Sequence, residues 1–381
     1  MRPNASASEK IPWARPSVGD EELAEVIECF KSGWLSQGPR VERFEQEMAR
    51  RAGRKFGVAV SNGTAALDLA VRVAGVRAGD EVIVPALSYL ATASVLVIQG
   101  ATPVFVDIDP RNLGLDPELV AQAITPQTKA VLCTDHGGNP CDLVRLSEIC
   151  DRHGIPLILD GAQSIGSFLQ GRATLSFGLV STASFHAAKT ITTIEGGMLF
   201  TDDEQISRRL KIMRSQGEDP SRKYFHVELG HNFRMTEMQA AIGLAQMKKL
   251  DDLLANRRTL ATRYSSELSP LGLAHPPGLP SAHNSHFLYT LLVPQRDAIA
   301  ERLKQRGIET RACYPLPLYD QPIFHHLKAD PCPVTERIAS TIINPPMFLG
   351  LTALQQKRIA RELREAITEL APGETEFREA V

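Results

Sequence analysis

The sequence predicts an α/β fold: a mostly parallel sheet of seven strands, covered on both faces by helices, followed by a smaller α+β domain. Two observations carry this expectation. Short apolar runs alternate with helical segments from Phe56 to Thr201, and strands that far apart in sequence are joined by helical crossovers and buried on both faces. A stretch rich in proline and glycine, 270–280, then follows a long helix. At 381 residues the chain is long enough for two domains, which we place at 11–260 and 261–381.

Taken in order, Asp20 to Phe30 carries Leu23, Val26, Ile27 and Phe30 at helical spacing and stops at Gly33. Gly33-Trp34-Leu-Ser-Gln-Gly38-Pro39 reads as a loop with a packed tryptophan. Val41 to Arg51 is helical, and the first strand runs from Phe56 to Val60. Ser61-Asn62-Gly63-Thr64 then opens a helix over Ala65 to Ala74. Further strands are expected at Glu81–Pro85, Thr102–Val106, Lys129–Thr134, Pro156–Asp160, Val180–Phe185 and Gly197–Thr201. Helices are expected at Leu90–Gln99, after the Asp116-Pro117-Glu118 cap, and at Asp142–His153. Thr236-Glu-Met-Gln239 has the form of a capping box that starts a helix running to about Glu267. Beyond it we expect a strand at Phe287–Val293, helices at Ala298–Gly307 and Thr352–Glu369, and a frayed end over the last ten residues.

Composition narrows the function. With 43% hydrophobic and 23% charged residues and a net charge of −2, the chain reads as an ordinary globular protein with no feature that suggests nucleic acid. Met1 to Lys10 has no apolar core that would serve as a secretory signal, and no stretch is apolar enough to cross a bilayer, so a cytoplasmic location is expected. The six cysteines form no Cys-x-x-Cys pair. Cys141, Cys150 and His153 read better as packing than as metal ligands, so no metal is expected.

Three stretches carry chemistry. Ser184-Phe-His-Ala-Ala-Lys189 puts a lysine just past a buried strand, followed by Glu195-Gly-Gly197. A lysine that forms a Schiff base needs a site dry enough to lower its pKa yet open to a carbonyl. Upstream, Asp160 ends an apolar strand, where open α/β sheets present ligand-facing residues. Further upstream, Ser61 to Thr64 sits at a helix N-terminus; read alone it is a plain helix cap or a phosphate site. An anion cradle, a carboxylate and a lysine, in that order, match the needs of pyridoxal phosphate.

These residues resemble the DegT-type sugar aminotransferases, a branch of the fold type I pyridoxal-phosphate enzymes, from Gly33 to about Gly350. The resemblance rests on Gly33-Trp34 with Gly38-Pro39, Ser61-Asn-Gly-Thr-Ala-Ala-Leu67, Asp80-Glu-Val-Ile-Val-Pro85, Pro103-Val-Phe-Val-Asp107, Asp160 with Gln163, Ser184-Phe-His with Lys189 and Glu195-Gly-Gly-Met198, and Asn232-Phe-Arg-Met-Thr-Glu-Met-Gln-Ala-Ala241. It implies that Lys189 forms the Schiff base and shuttles the proton, that Asp160 pairs with the pyridinium nitrogen, and that Gln163 touches the phenolic oxygen. It implies Gly63, Thr64 and Ser184 as phosphate ligands and Tyr89 as the residue stacked on the ring. Asn232 would reach the phosphate from a neighbouring subunit, so a homodimer with shared sites is expected.

The same resemblance implies transfer of an amino group from glutamate to the ketone of a nucleotide-linked keto-deoxysugar. A 4-keto-6-deoxyhexose is favoured, because Lys189-Thr-Ile-Thr-Thr and His231-Asn-Phe-Arg-Met-Thr resemble perosamine-synthase-like members. Cyclitol or aminohydroxybenzoate aminotransferases share the constellation, and a non-catalytic sugar-nucleotide-binding protein is the alternative from another class. Three departures stand out. Asp135-His136-Gly137-Gly138 replaces His-Leu-Tyr-Gly, Ile194 stands where relatives often carry glycine, and Gly161 replaces a common alanine. His186 is expected either to face the substrate or to pack, and His325-His326 to lie on the surface.

Overall fold

The computed structural model describes residues 10–271, 273 and 275–370; the expected fraying of the last ten residues lies outside them. Seven strands form the central sheet, in the spatial order Phe56–Val60, Gly197–Thr201, Val180–Ser184, Leu157–Asp160, Thr128–Thr134, Glu81–Pro85 and Thr102–Val106. Gly197–Thr201 runs antiparallel to both neighbours and every other pairing is parallel, so the predicted sheet is borne out.

Each central strand feeds two separate cores, because successive side chains point to opposite faces. Val131, Cys133, Leu157 and Leu159 join Phe44, Met48 and Phe185 on one face. Leu132 and Ile158 join Leu69, Val84 and Leu96 on the other. This double burial explains why the strands read as continuous apolar runs rather than alternating ones. A third core holds Ile11, Tyr264, Leu291, Leu303, Ile343 and Leu363, and it gathers the C-terminal helices.

One buried ion pair ties the first face together. Arg214 Nη1 donates to Glu45 Oε1 at 2.5 Å and to the Ala59 carbonyl at 2.7 Å, while the same carboxylate oxygen accepts the Ala59 N–H at 2.9 Å. Removing one partner strands a buried charge. Glu45→Ala is therefore expected to lose about 3–5 kcal/mol of stability, as measured by urea denaturation.

The structure corrects three expectations. The helix from Thr236 does not run unbroken to Glu267: it divides into Glu237–Lys248 and Leu250–Leu268. At the break, Lys249 N–H tightens onto the Gln246 carbonyl and its ammonium bonds Glu22 at 2.6 Å. Only Leu291–Leu292 of the strand at Phe287–Val293 forms, paired with Ile342–Ile343. The preceding backbone is diverted: Leu288 N–H goes to the Gly137 carbonyl, and Arg257 takes the Phe287 carbonyl.

The third concerns Trp34, and the first helix adds a related finding. On the first helix, Asp20–Ser32, residues Leu23, Ile27 and Phe30 lie 57%, 45% and 58% exposed, so its apolar stripe faces outward within the protomer. Trp34 is not packed inside either; it is 56% exposed and lies over Gly38, where an added Cβ would meet its Nε1 at 2.4 Å.

Candidate active site

The site forms where strand ends and one helix start converge. Asp160 closes the strand Leu157–Asp160, Ser184 closes Val180–Ser184, and the helix Gly63–Val73 begins just after Phe56–Val60. Glycines set how closely these meet. An added Cβ on Gly63 would touch Ser184 Cβ at 3.0 Å, and one on Gly197 would sit 2.3 Å from the Asn62 carbonyl oxygen. The Asn62 side chain caps the helix by accepting the Ala65 N–H at 2.8 Å. The N–H groups of Gly63 and Thr64 then point out of the helix end beside the Ser184 hydroxyl.

Gly197→Ala is expected to force these elements apart. Overpacking of this kind costs about 1–3 kcal/mol. A lower melting temperature than the parent protein's, read by thermal denaturation, checks it.

Lys189 lies on a turn held by its own N–H to the His186 carbonyl at 2.9 Å and by Thr192 Oγ1 to the Phe185 carbonyl at 3.0 Å. Its Nζ sits 4.7 Å over the Phe287 ring. Burial pulls the amine down to about 8, with the neighbouring Asp160 pulling the other way. The residue is only partly buried overall, so the desolvated amine is not sealed off.

Asp160 is buried, and burial pushes its carboxyl up. Thr92 Oγ1 donates to Oδ2 at 2.9 Å and Ala162 N–H donates to Oδ1 at 3.2 Å, both favouring the ionised form. Behind Thr92, Ser88 Oγ lies 2.7 Å away, so a chain of two hydroxyls backs the carboxylate. Asp160 and Lys189 sense each other's charge without forming an ion pair within 4.0 Å.

On the opposite side, Gln163 is pinned at both ends of its amide. Oε1 accepts the Gly137 N–H at 2.6 Å, and Nε2 donates to Tyr314 Oη at 3.1 Å. Tyr89, 60% exposed, stands 5.9 Å centroid to centroid from Tyr314. His136 is buried edge-on to Tyr314 and bonds the Cys313 carbonyl at 2.5 Å, which, with burial dominating, leaves its pKa at about 4. The structure thus gathers Ser184, Gly63 and Thr64 into one corner. Lys189 and Asp160 lie together, as do Gln163 and Tyr89 across Tyr314.

Asn232 is not among them within the protomer: it is exposed, on a segment bridged to Ser215, beside the stacked His231 and Phe233 rings. His186 is half-exposed, 3.8 Å from Glu195. His325 and His326 are exposed, as expected. Cys141 and Cys150 are buried in the core and all six thiols are free.

The departures have local causes. Gly137 and Gly138 are both left-handed, at φ 67° and 87°, and a Cβ on Gly138 would meet Ser285 Oγ at 2.3 Å. Gly161 lets the Thr182 carbonyl approach to 2.6 Å of where an alanine Cβ would lie. Ile194 adopts φ 72°, a conformation that glycine takes without strain and a β-branched residue resists. Thr92, Tyr314 and Phe287 were missed by sequence reasoning, since each acts through contacts distant in the chain and none stands in a distinguishing motif.

The chain is similar to known aminotransferases over nearly its whole length. Over 366 residues the chain is 36% identical to GDP-perosamine synthase of Caulobacter vibrioides, covering 94% of this chain and 98% of that protein. The aminotransferase TlmJ from Streptoalloteichus hindustanus superposes with a TM-score of 0.90 at 34% identity, over 95% of this chain and all of the other. The PLP form of a sugar aminotransferase from Streptococcus pneumoniae, Spr1654, gives 0.90 at 28% identity, over 95% and 99%. Residues 16–364 match the DegT/DnrJ/EryC1/StrS aminotransferase family, to which this chain belongs.

Proposed function

We propose that this aminotransferase uses pyridoxal phosphate to move an amino group from glutamate to the ketone of a nucleotide-linked 4-keto-6-deoxyhexose. The observation that carries the reading is the desolvated Lys189 amine next to the buried Asp160, with an open helix N-terminus at Gly63 in the same cleft. The donor set fits the cofactor. Gly63 leaves the space that a Cβ would fill against Ser184, and two N–H groups and a hydroxyl suit a phosphate. When bound, pyridoxal phosphate supplies a carbonyl for the amine and an electron sink for the donor carbon.

In this reading the neutral Lys189 amine would serve as the base that removes the donor-carbon proton in one half-reaction and, protonated, as the acid that delivers one to the acceptor carbon in the other. Asp160, whose ionised form the Thr92 and Ala162 hydrogen bonds favour against burial, would be the carboxylate that pairs with the ring nitrogen. Gln163 and Tyr89 would help hold the cofactor, Gln163 through its amide and Tyr89 through its exposed ring. The sugar assignment is supported by the full-length similarity to a GDP-perosamine synthase.

A second copy is part of the same proposal. Leu23, Ile27, Phe30, Tyr224, Phe225 and Leu229 are exposed, 89% in the case of Leu229, an amount of apolar surface that a partner would cover. The exposed Asn232 is then free to reach the partner's phosphate corner. Among the described residues no helix is long and apolar enough to cross a membrane.

The test is an absorbance spectrum of purified protein before and after glutamate. A visible band that shifts to the near-ultraviolet supports the cofactor, the lysine and the donor together. No band after incubation with pyridoxal phosphate defeats the reading. A screen of keto-sugar nucleotides against cyclitol and aminohydroxybenzoate ketones then separates the acceptors.

A further inference from the structure

Beside the lysine cleft, with Gly137 and Gln163 between them, lies a second cavity of about 320 Å³. The 112–113 turn, the 136–139 turn and the 275–290 segment wall it. Every ionisable side chain of charge-carrying type on that wall is a histidine, His136, His275, His283 or His286, and among the described residues no carboxylate lines it.

Behind His286 stands a positive charge with no counter-ion. Arg257 is buried, and its Nη1 donates to the carbonyls of His286 at 3.4 Å, Phe287 at 3.0 Å and Met347 at 3.4 Å, with no carboxylate bonded to it among the described residues. Burial lowers its pKa only to about 10, so the guanidinium stays charged at neutral pH. Buried charge of one sign without a partner is costly and is relieved by an ion of the other sign. Burial, and the nearby charges of His283, Arg258, Arg257 and His275, also hold the His286 imidazole down to about 4, a penalty that a negative neighbour reverses.

A buried amide at the edge of this wall is left without an acceptor. Asn112 is fully buried; its Oδ1 accepts the Gly114 N–H at 2.7 Å, and its Nδ2 has no acceptor. Buried amide donors are rarely left unpaired, and each such exception calls for a cause. A wall whose charge-capable side chains are all histidines, with a guanidinium charge behind it, a buried amide at its edge and no acid, favours an oxygen anion.

We propose that this cavity binds a small oxyanion, the carboxylate or phosphate group of a metabolite, between the 275–290 segment and Asn112. The site is distinct from the cofactor corner at Gly63 and Ser184, and only the use of holoenzyme in its test rests on the aminotransferase reading.

The experiment uses holoenzyme saturated with pyridoxal phosphate, so that the cofactor's own phosphate corner is taken. Inorganic phosphate and succinate are titrated separately by calorimetry in chloride-free buffer. Saturable binding of either at one site per chain is expected, and which of them binds identifies the ligand class. Asn112→Asp keeps an oxygen for the Gly114 N–H while adding a negative charge, and His283→Gln alters only an exposed side chain. Each is expected to weaken binding by about tenfold or more. If Asn112→Asp fails to fold by circular dichroism, His283→Gln decides alone. No saturation by either anion, or binding that the folded variants leave unchanged, overturns the proposal.

Discussion

Lys189→Ala, and equally Lys189→Arg, abolishes turnover while leaving a folded protein. Alanine removes the amine, and arginine keeps a charge that stays protonated at any working pH and so can neither attack a carbonyl nor accept a proton. The loss expected is at least about 10³-fold in kcat, with circular dichroism and melting temperature close to those of the parent. Lys189 makes no ion pair on which the fold depends. The wild-type lysine carries a second signature. Its pKa is lowered to about 8, so only the fraction above that value is nucleophilic, roughly a tenth at pH 7. Capture of pyridoxal phosphate by cofactor-free protein should therefore speed up about tenfold per pH unit below 8 and level off above it. Stopped-flow absorbance reads this directly. A rate still climbing at pH 10 would mean that the amine is solvated like a surface lysine, and normal turnover by either variant would remove Lys189 from the chemistry.

Much of the architecture was legible because its signals are local. Continuous apolar runs such as Val82 to Val84 and Leu157 to Leu159 belong to strands buried on both faces, and they fed two cores as periodicity implied. Helix starts were equally readable, since Asn62, Asp116 and Thr236 cap with their own side chains. What failed was long-range. Nothing near Lys249 in the sequence announces that Glu22, more than two hundred residues away, will pair with it where the helix breaks. Leu23, Ile27 and Phe30 have the spacing of a core stripe, and spacing does not distinguish burial within a chain from burial against another. In the site, Lys189 and Asp160 stood at strand ends where topology places reactive groups. The hydroxyl chain behind Asp160 did not, because Thr92 is an ordinary helix residue until Asp160 comes to lie 2.9 Å from it.

That hydroxyl chain sets up the second large effect, at Asp160 itself. Asp160→Asn keeps the shape and can keep a contact with Thr92, but an amide carries no charge to hold a proton on the ring nitrogen. We expect kcat to fall by about 10²–10³, the scale of a lost preorganised electrostatic contact, with little change in melting temperature. Thr92→Val is the finer probe. Burial already pushes the Asp160 carboxyl up and the Thr92 hydroxyl pulls it down, so removing the hydroxyl raises the pKa further. A carboxylate needed in its ionised form loses activity as pH falls through its pKa. The acid limb of the kcat profile should accordingly move to higher pH in Thr92→Val, while the plateau at high pH is largely kept. A uniform drop at all pH values would mean that Thr92 serves packing alone. An Asp160→Asn variant with full activity and an unshifted cofactor spectrum would mean that the ring nitrogen needs no proton here, and the electron-sink role would have to be assigned elsewhere in the cleft.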